Sequence, residues 1–284
     1  MPNLPFSKKT RSRKMPSPKY QIVGIILVKN EDLQIERVVR NIVNFCDKII
    51  VTDHGSQDHT FEILTKLSQE FQHITLKKID HPSQSHNEIE KFAGTPTWIF
   101  VIDGDEIYDP AGLALMKQYL LEGRFDNDWN IFCNSINCIQ LDYSKKIAKG
   151  YLAPPSRAIA RLFNFSMIES WINCPERVHG GDIKFRNNFH LGMRRYLQNE
   201  FSWENSYFRC VHVAFIQRSS LQKLFPNKSR LNPAEIEERK NTRNWRHLPR
   251  HIFLLAKHWL GFDWKNQKYR RGPVVEKDVS AFLG

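Results

Sequence analysis

The chain has 284 residues, 41% of them hydrophobic, with 42 Lys and Arg against 30 Asp and Glu and a net charge of +12. That length can bury one large core, or a main domain with appendages. No apolar run is long enough to cross a bilayer, the N-terminus lacks an apolar signal-peptide core, and the five scattered cysteines form no CxxC pair. A transmembrane protein, an exported one and a structural zinc domain are therefore not expected. Unclustered thiols with no export signal lead to the expectation of a cytoplasmic location.

The charge is unevenly placed. Residues 1–20 carry six Lys and Arg and no acid, and residues 218–271 carry fourteen basic groups against four acids, whereas 21–217 are slightly acidic. Basic ends suit an anionic surface, either phospholipid or nucleic acid. Three parts are expected: a disordered basic tail over 1–20, a main domain over 21–217, and a basic helical extension over 218–284. The main domain divides into halves at 21–125 and 126–217.

The fold is expected to start at Gln21. Ile22-Val-Gly-Ile-Ile-Leu-Val28 reads as a strand buried on both faces, ending in Lys29-Asn30-Glu31-Asp32. Ile35, Val38, Val39 and Ile42 then line one face of a helix, with Asn30 as a natural N-cap. Lys48-Ile-Ile-Val51 is the next strand, running into Thr52-Asp53 and the turn His54-Gly-Ser-Gln-Asp58. A helix from about Thr60, an edge strand at Ile74–Ile79 and a helix over 84–93 follow. Trp98-Ile-Phe-Val-Ile102 is a further doubly buried strand, and Asp103-Gly-Asp-Glu106 stands at its carboxyl end. A helix runs from Pro110 to Leu121. Beyond it come strands at Ile131–Ile136 and Ala158–Phe163 separated by a Lys-rich turn over 145–149. A loop-rich region spans Trp171–His190, a strand with His212 covers Phe208–Phe215, and helices are expected at 219–225, 233–241 and 251–260.

Strands alternating with helices mean βαβ units and a parallel sheet. In such sheets ligands collect outside the carboxyl ends of the strands. Asn30-Glu31, Asp53 and Asp103-Gly-Asp105 would then open on one crevice, although each alone is compatible with ordinary turn chemistry. Buried carboxylates need a neutralising partner, and hard oxygen ligands suit Mg²⁺ or Mn²⁺ with a phosphate-bearing substrate.

In that order, Lys29-Asn-Glu31, then Asp53-His-Gly55-Ser56-Gln-Asp58-His-Thr60, then Asp103-Gly-Asp105 resembles the nucleotide-sugar glycosyltransferases of family 2. The middle segment, Asp53 to Thr60, resembles the family's D-x-G-S-x-D-x-T stretch, with His59 where Gly is common, and the last its D-x-D element. The resemblance implies a GT-A (Rossmann-like) α/β fold: a mostly parallel central sheet flanked by helices, a loop-rich acceptor side and C-terminal helices. It also implies inverting sugar transfer from a nucleotide-activated donor to a glycan, lipid-linked or other hydroxyl acceptor. Arg161-Leu-Phe163, Arg177-Val-His179 and Cys210-Val-His212 resemble, more loosely, signatures of a lipopolysaccharide-core-like branch. Gly180 follows His179 where that branch often has an acid.

On that resemblance, Asp105 is the leading metal ligand, Asp103 lies near the ribose or shares the metal, and His212 is a further ligand or a phosphate donor. Asp53 accepts from the base N–H, and Asn30 and Glu31 wall the nucleoside. An inverting displacement needs a general base beyond the sugar. Glu176, in the irregular Asn173–His179 loop, is the candidate, with Asp182 as runner-up. Arg157, Arg161 and Arg177 are placed to pair with diphosphate or to make surface ion pairs.

Rival readings are a dehalogenase-type phosphatase, a sugar nucleotidyltransferase and a nucleic-acid-binding protein. The first wants Thr or Val where Ile107 stands. The second needs a Gly-rich basic loop where Lys29-Asn-Glu-Asp32 stands, and the third leaves the acidic loops unexplained. The helix expected at 251–260, with its basic flanks, is compatible with resting on the inner face of an anionic membrane and equally with packing back onto the sheet.

Overall fold

The computed structural model describes residues 20–221 and 268–283. Strand β1 (Gln21–Val28) leads into helix α1 (Ile35–Ile42), strand β2 (Lys48–Asp53), helix α2 (Thr60–Glu70) and strand β3 (Ile74–Lys78). Helix α3 (Gln84–Glu90) and strand β4 (Thr97–Asp103) follow, then a short strand β5 (Glu106–Tyr108) and helix α4 (Pro110–Leu121). The second half is built of strands: β6 (Asn130–Asp142), β7 (Ile147–Leu152), β8 (Ile159–Asn164), β9 (Ile168–Ile172), β10 (Asp182–Phe185), β11 (Arg194–Tyr196) and β12 (Arg209–His212). Strand β13 (Val274–Asp278) is the last.

The main sheet runs in the order β13-β7-β6-β8-β4-β1-β2-β3. From β4 to β3 all neighbours are parallel, as the βαβ pattern requires. From β4 outward through β8, β6, β7 and β13 they are antiparallel. Every residue from Trp98 to Ile102 is fully buried. Alternation splits them between two cores: Trp98, Phe100 and Ile102 pack with α1, α2 and α4, while Ile99 and Val101 pack with Trp129, Phe165 and Trp171. Ile22 and Ile26 against Val23 and Ile25 repeat the division on β1.

Three local expectations change. Asn30 is not the cap of α1: its φ is 55°, and Gln34 stands at the N-cap position. Helix α4 does have a side-chain cap: the Asp109 carboxylate accepts from the Ala111 and Gly112 amides. The Lys-rich stretch 145–149 is not only a turn, since Ile147 begins β7 and pairs back onto β6. The loop-rich region contains a two-stranded ladder of β9 and β10. The helices expected at 233–241 and 251–260, most of the one at 219–225, and the basic N-terminal tail lie outside the described residues.

Candidate active site

The carboxyl ends of β2, β1 and β4 are level. Val28 faces Asp53 across the β1–β2 pair, and Leu27 faces Asp103 across β1–β4. Above them opens a cleft of about 1080 Å³ whose walls include Asn30, Glu31, His54, Asp103 and Asp105 from the first half of the chain and Arg161, Glu176, Arg177, His212 and Arg218 from the second.

The loops that end β1 and β2 are stitched to one another. The Asn30 amide donates to Ser56 Oγ at 2.9 Å, and Asn30 Oδ1 accepts from the Gln57 amide at 2.7 Å. The Glu31 amide donates to Thr60 Oγ1 at 2.7 Å. Asp58 Oδ1 accepts from the Thr60 amide at 3.0 Å, closing the start of α2. The Asp53-to-Thr60 motif is thus a hydrogen-bonded cradle, one that places Glu31 over the cleft. Asp53 lies beneath this turn, 1% exposed, and does not itself line the cleft. Its Oδ1 accepts from the Ser56 amide at 3.0 Å, while Oδ2 is buried with no hydrogen-bond partner among the described residues.

Gly104 explains how the acidic tip packs. A Cβ there would stand 3.0 Å from Glu31 Cγ, so glycine lets the β4 tip close onto the β1 loop.

Each acid of the tip meets a cation from the second half of the chain. Asp103 accepts from Arg161 Nη2 and Arg177 Nη1, both at 2.6 Å. Burial works against charge on Asp103, but the two guanidiniums outweigh it and hold its carboxyl well below the usual range. Arg161 also contacts Glu106 Oε1, and Tyr108 Oη donates to Glu106 Oε2 at 2.9 Å. Glu106 is fully buried, and burial with Asp103 and Asp105 nearby prevails over Arg161, pushing it up to about 7. Asp105 is 1% exposed; its Oδ2 accepts from Arg218 Nη1 at 2.7 Å, and His212 Nε2 stands 3.7 Å from its Oδ1. His212 Nδ1 faces Asn137 Oδ1 at 2.9 Å. Arg218 Nη1 also lies 3.6 Å from Glu31 Oε1.

Glu176 is 7% exposed, with Arg177 Nη2 at 3.2 Å and His179 Nδ1 at 2.9 Å from Oε1. Burial raises its carboxyl, but Arg177 and His179 prevail and bring it below the usual range. The loop carrying it is pinned from beneath by His86, whose two ring nitrogens face the carbonyls of Arg177 and Trp171.

The expected residues are therefore not all together. Asn30, Glu31, Asp103, Asp105, Glu176 and His212 share the cleft. Asp182 does not: it starts β10, is exposed, and accepts from Asn173 Nδ2 at 2.8 Å on the outer ladder. Arg161 and Arg177 are buried braces for acids rather than surface ion pairs. The expected metal trio needs the same correction. Asp103 is committed to two arginines, and among the described residues no three acidic, His or Cys side chains stand together at metal-binding spacing. Asp105 with His212 remains, a carboxylate and an imidazole on one wall. Such a pair fits a divalent cation that takes its other ligands from a bound diphosphate and water. Sequence reading missed Arg218 and Glu106. Nothing in the local pattern marks Arg218, while Glu106 is visible as the last acid of Asp103-Gly-Asp-Glu106, directly before Ile107.

No curated protein matches the chain significantly. Solved structures that match include residues 1–349 of TarS from S. aureus in complex with UDP, at 14% identity, 43% of this chain, 36% of that chain and a TM-score of 0.31. The mannosyltransferase PcManGT from Pyrobaculum calidifontis, in complex with GDP-Man and Mn²⁺, matches at 19% identity over 42% of this chain and 36% of that one, with a TM-score of 0.34. Glucosyl-3-phosphoglycerate synthase from Mycobacterium tuberculosis, with Mn²⁺, UDP and glucosyl-3-phosphoglycerate, matches at 19% identity over 41% and 44%, with a TM-score of 0.32. The matches span less than half the length of each of these proteins. Residues 25–225 match the model of glycosyl transferase family 2. With most of its length inside that match, and with a Rossmann-like α/β sheet of the GT-A kind, the chain belongs to glycosyl transferase family 2.

Proposed function

We propose that the chain transfers a sugar from a nucleotide-activated donor to a hydroxyl acceptor, with inversion at the anomeric carbon. The observation that carries this reading is the convergence of the Asn30-Glu31 and Asp103–Asp105 strand ends at one cleft edge, with Asp53 level with them on the sheet and just beneath that edge. Asp53 Oδ2, buried without a partner, suits the N–H of a nucleobase, because a buried acceptor left unmade costs free energy that a ligand donor recovers. Asn30 and Glu31 wall the nucleoside. Asp103, fixed by Arg161 and Arg177, is held ionised and rigid toward the ribose.

Asp105 and His212 are the residues that would hold Mg²⁺ or Mn²⁺, and the ion would offset the charge growing on the departing diphosphate. Glu176 lines the same cleft, joined to Asp103 through Arg177. Its carboxylate is ionised at neutral pH and takes the acceptor hydroxyl's proton as the oxygen attacks the anomeric carbon. Arg177 and His179 orient the carboxylate for that transfer.

The acceptor reading is a glycan or lipid-linked hydroxyl, in the lipopolysaccharide-core-like branch. Arg161 with Phe163, Arg177 with His179, and His212 come from three separate stretches and line one cavity. Phe132, half-buried on the same walls, supplies a flat apolar face of the kind that packs on sugar rings. Among the described residues no helix is long and apolar enough to cross a membrane. A peripheral contact with anionic lipid rests on the basic charge of residues 218–271.

A panel of nucleotide sugars read by thermal shift, with and without Mn²⁺, tests the function. One donor should raise the melting temperature in the presence of Mn²⁺, and be hydrolysed or transferred slowly under the same conditions. A panel with no stabilising member, or equal stabilisation by inorganic phosphate alone, contradicts the reading.

A further inference from the structure

Arg218 bridges two buried acids at the edge of the cleft. Its Nη1 is 2.7 Å from Asp105 Oδ2 and 3.6 Å from Glu31 Oε1, and the residue is 8% exposed. Two carboxylates that are 1% and 2% exposed are costly to keep charged together without a counter-cation. Arg218 belongs to neither the β1 nor the β4 loop. It arrives from beyond β12, and its backbone is fixed to the nucleotide edge. The Arg218 carbonyl accepts from the Leu33 amide at 3.0 Å, Ser219 Oγ donates to Asp58 Oδ2 at 2.6 Å, and the Ser220 amide donates to Asp32 Oδ1 at 2.8 Å. The side chain can therefore leave Asp105 without moving the chain that carries it.

We infer that Arg218 is a place-holder cation: it occupies Asp105 before a divalent ion does, and swings onto the nucleotide's diphosphate when ion and nucleotide bind together. The inference rests on the reading of Asp105 as a cation ligand given above. Its physics is like-charge exclusion. A guanidinium in contact with Asp105 and a divalent ion on the same carboxylate repel one another at close range in a largely buried site. The ion alone thus binds weakly. A diphosphate changes the balance, because it offers the displaced guanidinium a bidentate anionic partner. Binding of ion and nucleotide then becomes mutually reinforcing.

Titration of the full chain with Mn²⁺, followed by the electron paramagnetic resonance of the free ion, tests this directly. Without nucleotide, Arg218→Gln should bind Mn²⁺ about tenfold more tightly than wild type, because the competing charge is gone. With saturating Mn²⁺, the same variant should bind UDP or GDP about tenfold more weakly, whichever the wild type prefers, because the phosphate partner is gone. Arg218→Lys keeps the charge and should leave the Mn²⁺ affinity of the nucleotide-free protein near wild type.

Opposite shifts in the two affinities support the place-holder. A lower melting temperature with both affinities unchanged marks a purely structural arginine and overturns it. Mn²⁺ affinity that stays level or falls in Arg218→Gln overturns it too. Asp105→Ala separates the two levels. If Asp105→Ala abolishes Mn²⁺ binding while Arg218→Gln fails to raise it, only the place-holder falls. If Asp105→Ala leaves Mn²⁺ binding untouched, the cation-ligand reading falls and the place-holder with it.

Discussion

The two halves of the sheet contribute opposite charge to the same cleft. On the parallel side, the loops after β1 and β4 bring Glu31, Asp103, Asp105 and Glu106. On the other side, Arg161 comes from β8, Arg177 from the loop between β9 and β10, and Arg218 from beyond β12. Apolar burial alone would let each half form a core, since β1 and β4 already bury both faces. Charge does not divide that way. Glu31, Asp105 and Glu106 of the first half and the arginines of the second are buried, Asp103 is half-buried between two of those arginines, and each set is expensive without the other. The cleft is therefore where the halves depend on one another most.

The largest break in this pairing is chemical. Glu176→Gln keeps the shape of the loop but removes the proton acceptor. Turnover at saturating donor should drop on the order of 10²- to 10⁴-fold, with donor affinity unchanged in a direct titration. An unchanged turnover would remove Glu176 from the chemistry.

The next effect is on stability. Asp103→Ala leaves Arg161 and Arg177 buried with one partner fewer, and breaking a buried ion pair on one side typically costs about 3–5 kcal/mol. Urea unfolding measures it, and a loss below about 1 kcal/mol would mean that water already screens the cluster.

Asp103 and Glu106 also respond to pH in opposite senses, although only three positions apart. Asp103 is held well below its ordinary value in the folded state. Its contribution is therefore present above about pH 4, the unfolded value, and is lost as pH falls through the folded value. Glu106 is raised to about 7. Its contribution is fully present below about pH 4.3 and fades as pH rises toward 7, because the unfolded chain ionises first. Wild type should thus hold a larger stability margin over Glu106→Gln near pH 5 than near pH 8, by on the order of 1–3 kcal/mol. A margin independent of pH would show that Glu106 is ionised throughout.

Smaller effects map the edges of the site. Asp53→Ala removes the acceptor assigned to the nucleobase and should weaken nucleoside diphosphate binding about tenfold, the size of one good buried hydrogen bond. Asp182→Asn changes a carboxylate on the exposed β9–β10 ladder and should leave turnover within about twofold, as surface substitutions usually do. A large loss there would reinstate Asp182 against its position.

The parallel half was legible because its signals are local. A doubly buried strand needs an unbroken apolar run, and polar residues at its end announce themselves, as at Val28–Asn30 and Ile102–Asp103. The antiparallel half was read less well because its partners are distant. Strand β7 was taken for a turn because Lys145, Lys146 and Lys149 are polar, yet Gly150 allows β7 to lie close on β6, where a Cβ would stand 2.3 Å from the Asn137 carbonyl oxygen. The clamp on Asp103 joins residues 58 and 74 positions apart. No spacing rule reaches that far, so Arg161 and Arg177 read as partners for a diphosphate or as surface ion pairs rather than as braces for Asp103. Arg218 pairs with Asp105 across 113 positions and has no motif of its own.

The most direct measurement is a calorimetric titration of the preferred nucleoside diphosphate into wild type and Asp105→Ala, each with Mn²⁺ and with a chelator. In wild type, Mn²⁺ should tighten binding by about tenfold or more, and in Asp105→Ala the two conditions should give the same weak affinity. Equal Mn²⁺ enhancement in both proteins would contradict the assignment of the β4 tip as the place where the diphosphate is gripped.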